Sequence, residues 1–304
     1  MVNRLGWLVN DQLTSIPETR TFWHDLLEWI PGLAFRTGSY VDYSHLADVV
    51  EASYRIDAEK PQYIIRNSGF FRWIDLPVVT ISFVQDLVDA EQVRVIKQSQ
   101  VAVFNSIYMR SRFEEVENSR VIPIGVNTSV FRPMGKEACR VKYGILPESI
   151  VWVGARTSVK GYETLKGIIE STPYNYCLVL KDSPDPDWIN ERVRVLSRIP
   201  MGAMAEVYNA CSMLLCTSPM ETQHLASLEA LACDIPVVSP PCGVWYDTAS
   251  GTWGLRVMDS RYLDAIRWVR NSPDSFQPRE FLLSSPYTGE ACRQSWQKVL
   301  ADVL

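Results

Sequence analysis

The sequence predicts an α/β protein made of two doubly wound halves, each a parallel sheet with helices packed on it. Three observations predict it. Short apolar runs alternate with amphipathic stretches along the chain. A polar passage, Asn127 to Gly135 with Pro133 and Gly135, interrupts the alternation near the middle, and the alternation then resumes. The length of 304 residues, 47% of them apolar, is enough for two packed cores. The expected division is an N-terminal Rossmann-like domain over residues 1–130, a C-terminal one over 131–285, and a terminal helix over 286–304 that packs back towards the first domain. A cleft between two such halves is the expected ligand site, because doubly wound sheets bind ligands at the carboxyl ends of their strands.

The elements follow in order. Leu5 to Asn10 is a first strand. Thr19 to Trp29 places Phe22, Leu26 and Trp29 on one helix face, and Pro31-Gly32 ends it. Tyr63 to Ile65, Val78 to Phe83, Val101 to Asn105 and Val121 to Ile124 read as strands. Val88 to Gln98 reads as a helix, and Ser106 caps another over Ile107 to Val116. In the second half Ile150–Val153, Tyr176–Lys181, Met213–Cys216, Ile235–Ser239 and Leu255–Met258 are strands. Tyr162–Glu170, Asp187–Leu196, Met204–Cys211, Leu225–Ala232 and Tyr262–Asn271 are helices. Gly289 to Leu304 spaces Cys292, Trp296, Val299, Leu300 and Val303 for burial along one helix face.

Composition excludes several classes. A net charge of −5 gives no support to a dominant non-specific grip on nucleic acid. Seven cysteines without a C-x-x-C pair suit a reduced, cytoplasmic protein better than a disulfide framework or zinc site. Met1 to Gly6 lacks a signal-peptide core, and no apolar run approaches the ~20 residues of a membrane span. The ten tryptophans leave a peripheral place at a membrane open.

The chemistry concentrates in the second half. Glu221 and Glu229 flank seven residues, with a helix expected to start between them and a buried strand to follow. Spacing alone is weak, since Glu51 and Glu59 share it. Context adds meaning: a carboxylate before a helix grips sugar hydroxyls, the free N–H groups of the first turn hold a phosphate, and a carboxylate further along takes a ribose diol. That is a layout for a nucleotide-sugar. Upstream, Val151 to Gly161 forms a strand, a loop and a helix start, where Lys160 reads equally as a cation for a phosphate or as a solvated loop lysine. Asp185 and Asp187 form an Asp-x-Asp pair, but Pro184-Asp185-Pro186-Asp187 reads better as a turn capping a helix than as a metal site, and no metal is assigned. His24 reads as structural and His45 as a surface or cap residue, whereas His224 sits inside the Glu221–Glu229 segment. Arg66 to Trp73 mixes basic and aromatic residues and reads chiefly as a loop with aromatics tucked into the core.

Together these stretches resemble the retaining GT-B-fold glycosyltransferases of the family 4, or group 1, type. Val121 to Pro133 is similar to that family's interdomain passage, Val153-Gly154 through Lys160-Gly161 to its phosphate loop, and Met204 to Ala210 to the helix before its E-x7-E signature. Glu221 through Ser239 is similar to the signature itself, and Val101 to Phe113 to the end of its first domain. The likeness covers residues 100–257 well. It implies a GT-B fold, two Rossmann-like doubly wound domains facing across a cleft. It also implies transfer of a sugar, with retention, from a nucleotide-diphosphate donor to an acceptor hydroxyl of a saccharide, a lipid-linked glycan, a protein or a modified DNA base. No cofactor is implied beyond the nucleotide-sugar co-substrate. Lys160 would stabilise the leaving diphosphate and Glu221 would position the sugar, the two catalytic assignments. Arg156, Ile199, Thr222, Gln223, His224, Leu225, Ala226 and Glu229 would bind the donor, with Glu229 on the ribose and Ile199 by the base. Asp11 and Asp86 would face the acceptor.

This chain also departs from the pattern. Ala155 stands where the family has an arginine, and Arg156 follows one residue later. Gln223-His224 replaces Phe-Gly, Val9-Asn10-Asp11-Gln12 replaces a glycine-rich loop, and Gln85-Asp86 stands near the place of the family's first-domain histidine. Two other readings use the same fold: a nucleotide-sugar epimerase or hydrolase, and a nucleotide-sugar-binding protein without transfer.

Overall fold

The computed structural model describes residues 5–10, 33–37, 63–67, 81–84, 90–113, 115–180 and 189–303. The described residues form two compact units. One joins the first-half sheet to the terminal helix Gly289–Val303, and the other runs from Val126 to Thr288. The chain therefore changes unit between Gly125 and Val126, a few residues before the expected boundary, and again between Thr288 and Gly289.

The first unit holds strands β1 (Leu5–Asn10), β2 (Leu33–Thr37), β3 (Tyr63–Asn67), β4 (Ile81–Val84), β5 (Val101–Phe104) and β6 (Ser119–Val121). All pair in parallel, in the order β2-β1-β3-β4-β5-β6. β4 and β5 are buried at every position, as continuous apolar runs in a doubly covered parallel sheet should be. Ser106 accepts the Met109 N–H at 3.1 Å and starts a helix as expected, but that helix stops at Arg110 rather than Val116. Met109, Phe113 and Val116 keep helical spacing and share one apolar cluster, yet the helix stops where the Ser111 N–H bonds the Ile107 and Met109 carbonyls. Helix Ala90–Lys97 lies inside the expected range. In the terminal helix Cys292, Trp296, Val299 and Leu300 are buried, and Trp296 meets Phe83 of β4 edge-on at 5.4 Å. Helix Thr19–Trp29 and the patch Ser68–Trp73 lie outside the described residues.

The second unit holds β7 (Ile150–Gly154), β8 (Tyr176–Leu180), β9 (Val193–Ser197), β10 (Met213–Leu215), β11 (Val237–Ser239) and β12 (Gly254–Arg256). They form one parallel sheet in the order β12-β11-β10-β7-β8-β9. Read from β9, the strands follow the Rossmann order 3-2-1-4-5-6. Period-two alternation sends Val151, Cys177, Leu214 and Val237 to one core with helices Met201–Asn209 and Leu225–Ala232. Ile150, Trp152, Tyr176, Leu178, Met213 and Val238 go to the other, with helices Tyr162–Glu170 and Tyr262–Asn271. Each face of the sheet is thus covered, which is why its central strands β7, β8 and β10 are apolar.

One expectation fails here. Asp187–Leu196 was expected as a helix, but Val193–Ser197 is strand β9, paired along its whole length with β8, and residues 189–192 are irregular. Val193 and Leu196 are buried and Arg194 is exposed, so β-branched residues on a half-covered edge strand decide the outcome against the weak helical pattern. Helix Lys136–Tyr143, strand β2 and the short helix Pro278–Leu283 had no sequence prediction.

Candidate active site

The strand order places a switch point in the second unit between β7 and β10, which pair directly (Met213 with Ile150, Leu214 with Val151). From β7 the sheet grows one way through β8, and from β10 the other way through β11. The loops leaving the carboxyl ends of β7 and β10 flank this switch point, where doubly wound sheets place their ligand crevice. One loop carries Lys160 and the other carries Glu221.

The structure brings these two residues together. Lys160 Nζ lies 2.6 Å from Glu221 Oε1, in a pair that is partly shielded from solvent, with the lysine side chain 34% and the glutamate 12% exposed. Burial raises the Glu221 carboxyl, but the charges of His224 and Lys160 and hydrogen bonds from Lys160 and Ser218 hold it below the usual carboxylate range.

The Lys160 loop is fixed from beneath. Trp152 Nε1 donates to Thr217 Oγ1 at 2.9 Å, and Thr217 Oγ1 donates to the Lys160 carbonyl at 3.0 Å. Next to it, Gly161 has φ +66°, and a Cβ there would lie 2.0 Å from the Thr217 carbonyl oxygen. Only glycine lets the two loops approach this closely, and that approach sets the Lys160–Glu221 distance.

Helix Leu225–Ala232 begins at His224, whose backbone is left-handed (φ 66°, ψ 67°). The His224 carbonyl accepts the Ser227 N–H, and among the described residues the N–H groups of Leu225 and Ala226 at the helix start have no backbone partner. The His224 ring is buried, and its Nδ1 contacts Ser227 Oγ. Gln223 is buried in front of it, and its carbonyl accepts the Val244 N–H at 3.3 Å. Gly243 (φ +54°) packs against that same backbone, where a Cβ would come within 2.7 Å. Thr222 is partly buried between Glu221 and Gln223.

Further along the helix, Glu229 accepts a 2.7 Å hydrogen bond from the Tyr208 hydroxyl. Burial pushes its carboxyl up to about 7, against the pull of the Tyr208 hydrogen bond and the His224 charge. Ile199 is half-buried and packs against the same core as Tyr208, just after Arg198 leaves β9 with φ 55°. Arg156 is exposed two residues past the end of β7. Asp11, Asp86, Asp185 and Asp187 lie outside the described residues. Among the described residues no group of three or more His, Cys, Asp or Glu side chains is disposed to hold a metal ion.

Sequence reasoning passed over Thr217, Trp152 and Tyr208. Thr217 lies four residues before Glu221, and nothing in its type distinguishes it from an ordinary strand-end threonine.

Comparison with known proteins agrees with this architecture. The solved sucrose-phosphate synthase of Thermosynechococcus elongatus superposes with a TM-score of 0.81 at 16% identity, covering 98% of each chain. Anabaena Alr3699/HepE, solved with UDP-glucose, superposes with a TM-score of 0.78 at 14% identity over 98% of this chain and 99% of that one. The chain has the GT-B fold. Residues 177–267, from β8 into helix Tyr262–Asn271, match the family described as glycosyl transferases group 1. Two curated relatives are D-inositol 3-phosphate glycosyltransferases. The one from Segniliparus rotundus is 29% identical over 142 residues, 40% of this chain, and the one from Stackebrandtia nassauensis is 27% identical over 212 residues, 60% of this chain. These matches span 32% and 47% of the relatives' own lengths. No described helix is long and apolar enough to cross a membrane.

Proposed function

We propose that this GT-B protein is a retaining glycosyltransferase that moves a sugar from a nucleoside-diphosphate donor to an acceptor hydroxyl. The observation that carries the reading is the meeting of Lys160 and Glu221 at the switch point, beside a helix start whose first N–H groups have no backbone partner among the described residues. That crevice offers a cation and oriented amides to a diphosphate, with carboxylates on either side for hydroxyls.

The roles follow from position. In the structure Glu221 serves as the counter-ion of Lys160. A donor diphosphate would draw the ammonium away and free Glu221 to accept from a sugar hydroxyl. The N–H groups of Leu225 and Ala226 would bind the distal phosphate, the end of the diphosphate nearer the sugar. Glu229 would accept from the ribose hydroxyls, Ile199 would lie by the base, and Arg156 would reach the phosphates from outside. In the reaction the bond from the anomeric carbon to the phosphate oxygen breaks and a bond to the acceptor oxygen forms. The diphosphate gains the negative charge and Lys160 stabilises it, while the acceptor proton passes to a diphosphate oxygen. Retention would come from attack on the face the leaving group departs, and no protein nucleophile is assigned.

The complexes of Alr3699/HepE with UDP and UDP-glucose make UDP-glucose the first donor to try. Asp11 and Asp86 are assigned to the acceptor side. The acceptor is a saccharide, a lipid-linked glycan, a protein or a modified DNA base, with nucleic acid least favoured by the −5 charge. A cytoplasmic protein, soluble or peripheral at a membrane, is the expected setting.

The test is transfer from labelled UDP-sugars to an acceptor panel, after a thermal-shift screen over nucleotide-sugars. Lys160→Ala and Glu221→Ala should each lower kcat by about 10²–10³, the range for loss of one electrostatic stabiliser. Glu229→Ala should mainly raise the donor KM. Wild-type turnover in the first two variants would sink the assignment. Sugar released to water with no acceptor dependence would point to a hydrolase instead.

A further inference from the structure

His224 holds a left-handed backbone conformation that few non-glycine residues adopt. Its φ of 66° lies in the left-handed region, which glycine enters freely, asparagine, aspartate and histidine visit more often than other residues, and which costs a typical L-residue about 1–2 kcal/mol. A residue held there against its preference points to work done by its side chain. That side chain is buried at the helix start, three residues after Glu221.

We propose that His224 is a positioning residue, a second counter-cation that takes over Glu221 when Lys160 turns to the donor's diphosphate. The hand-over rests on the donor reading above. Its physical need is plain: Glu221 is only 12% exposed, and a shielded carboxylate that loses the Lys160 ammonium must lean on the other cation already beside it, His224. Lys160 cannot neutralise the diphosphate and Glu221 equally.

The groups around the ring fit this role. On its own helix are Ser227, which contacts Nδ1, and Glu229. From the end of β10 come Cys216 and Glu221, from the loop after β7 comes Lys160, and Cys242 beyond β11 hydrogen-bonds to Cys216. Burial disfavours a charged imidazole, but Cys216 and Glu221 together outweigh it and the ring titrates above its ordinary value, with Lys160 opposing. Burial raises the Cys216 thiol, yet the Cys242 hydrogen bond and His224 bring it below its usual value. When Lys160 turns to a phosphate, the opposition weakens and the imidazole holds its proton more firmly.

The chain has three histidines, so the imidazole C2–H resonances are few, and His224→Asn, which tolerates the same backbone, assigns the third. In the free protein the His224 pKa should lie above 6.5, and it should fall in Glu221→Gln, also on a Cys216→Ala background that removes the competing thiol. It should rise further when UDP is added. In transfer assays His224→Asn should lose about tenfold in kcat with little change in donor KM, and its pH–rate profile should shift. An unchanged His224 pKa in Glu221→Gln overturns the pairing, and a wild-type kcat and profile in His224→Asn overturn the positioning role. The Glu221→Gln titration needs no nucleotide. A protein that takes no nucleotide-sugar would therefore show itself separately, by no shift with UDP and no transfer by the wild type, and would overturn the hand-over while the titration still decides the pairing.

Discussion

Replacing Glu229 by glutamine should make the protein more stable at pH 8 while weakening its grip on the donor. The magnitude comes from the carboxyl's environment. Burial lifts its pKa from 4.5 to about 7. A folded pKa above the unfolded one means that the folded state binds the proton more tightly. The resulting stability is fully present below about pH 4.5 and is lost as pH rises through about 7. The shift of about 2.5 pKa units corresponds to at most about 3.4 kcal/mol of lost stability above pH 7, at about 1.36 kcal/mol per unit. Roughly 2.5 kcal/mol of that loss falls between pH 5 and pH 8. Glutamine does not ionise and can still accept from the Tyr208 hydroxyl, so Glu229→Gln removes the pH-dependent loss and little else. Urea unfolding followed by circular dichroism at pH 5 and pH 8 measures it. The variant's advantage should be small at pH 5 and grow by about 2 kcal/mol or more by pH 8. A constant difference, or a wild type more stable at pH 8, would refute the reasoning. UDP binding by the same variant should be weaker above pH 7, where the wild-type carboxylate is ionised and ready to accept.

Thr217→Val keeps the shape but strips the hydroxyl between Trp152 and Lys160. With a buried indole N–H left unpaired it should lose about 1–3 kcal/mol of stability, and kcat should fall because the Lys160 loop is no longer fixed. Thr217→Ser should restore both in urea unfolding and transfer assays. Gly161→Ala puts a Cβ 2.0 Å from the Thr217 carbonyl oxygen at a left-handed φ, so a melting-temperature drop worth well over 2 kcal/mol is expected, with transfer lost. Transfer should survive a chelator at full rate. A strict divalent-cation requirement would revive the Asp185/Asp187 pair as a metal site.

Much of the second unit was legible because each of its elements is apolar in its own period. The helices Tyr162–Glu170, Leu225–Ala232 and Tyr262–Asn271 have the expected bounds, and most of the strands sit within a residue or two of theirs. β9 was not legible, since Arg192-Val193-Arg194-Val195-Leu196 supports both periods and only pairing with β8 decides between them. Helix Lys136–Tyr143 was missed because Cys139 is its one buried residue, though Gly144, left-handed at its end, was a stop signal in plain view. In the site, Glu221, Glu229 and Lys160 could be named from type and order. Their pairings could not, because whether Glu221 faces Lys160 while Glu229 faces Tyr208 depends on which strands are neighbours.

That strand order also explains why the residues at the site differ in kind. β7 and β10 are adjacent in space but lie 58 residues apart from the end of one to the start of the next, with β8 and β9 spliced between them. Their loops can meet only by close backbone approach, which Gly161 permits and the Trp152–Thr217–Lys160 hydrogen bonds hold. The approach sets a cation against a carboxylate in a shielded crevice. Neither can then leave its partner without a replacement charge. On the proposed donor reading a diphosphate would supply one to Lys160, and His224, whose charge already bears on Glu221, would supply the other. The left-handed glycine and the left-handed histidine thus bear on one geometric problem: Gly161 lets the loops meet, and on the proposed hand-over His224 would let them exchange partners.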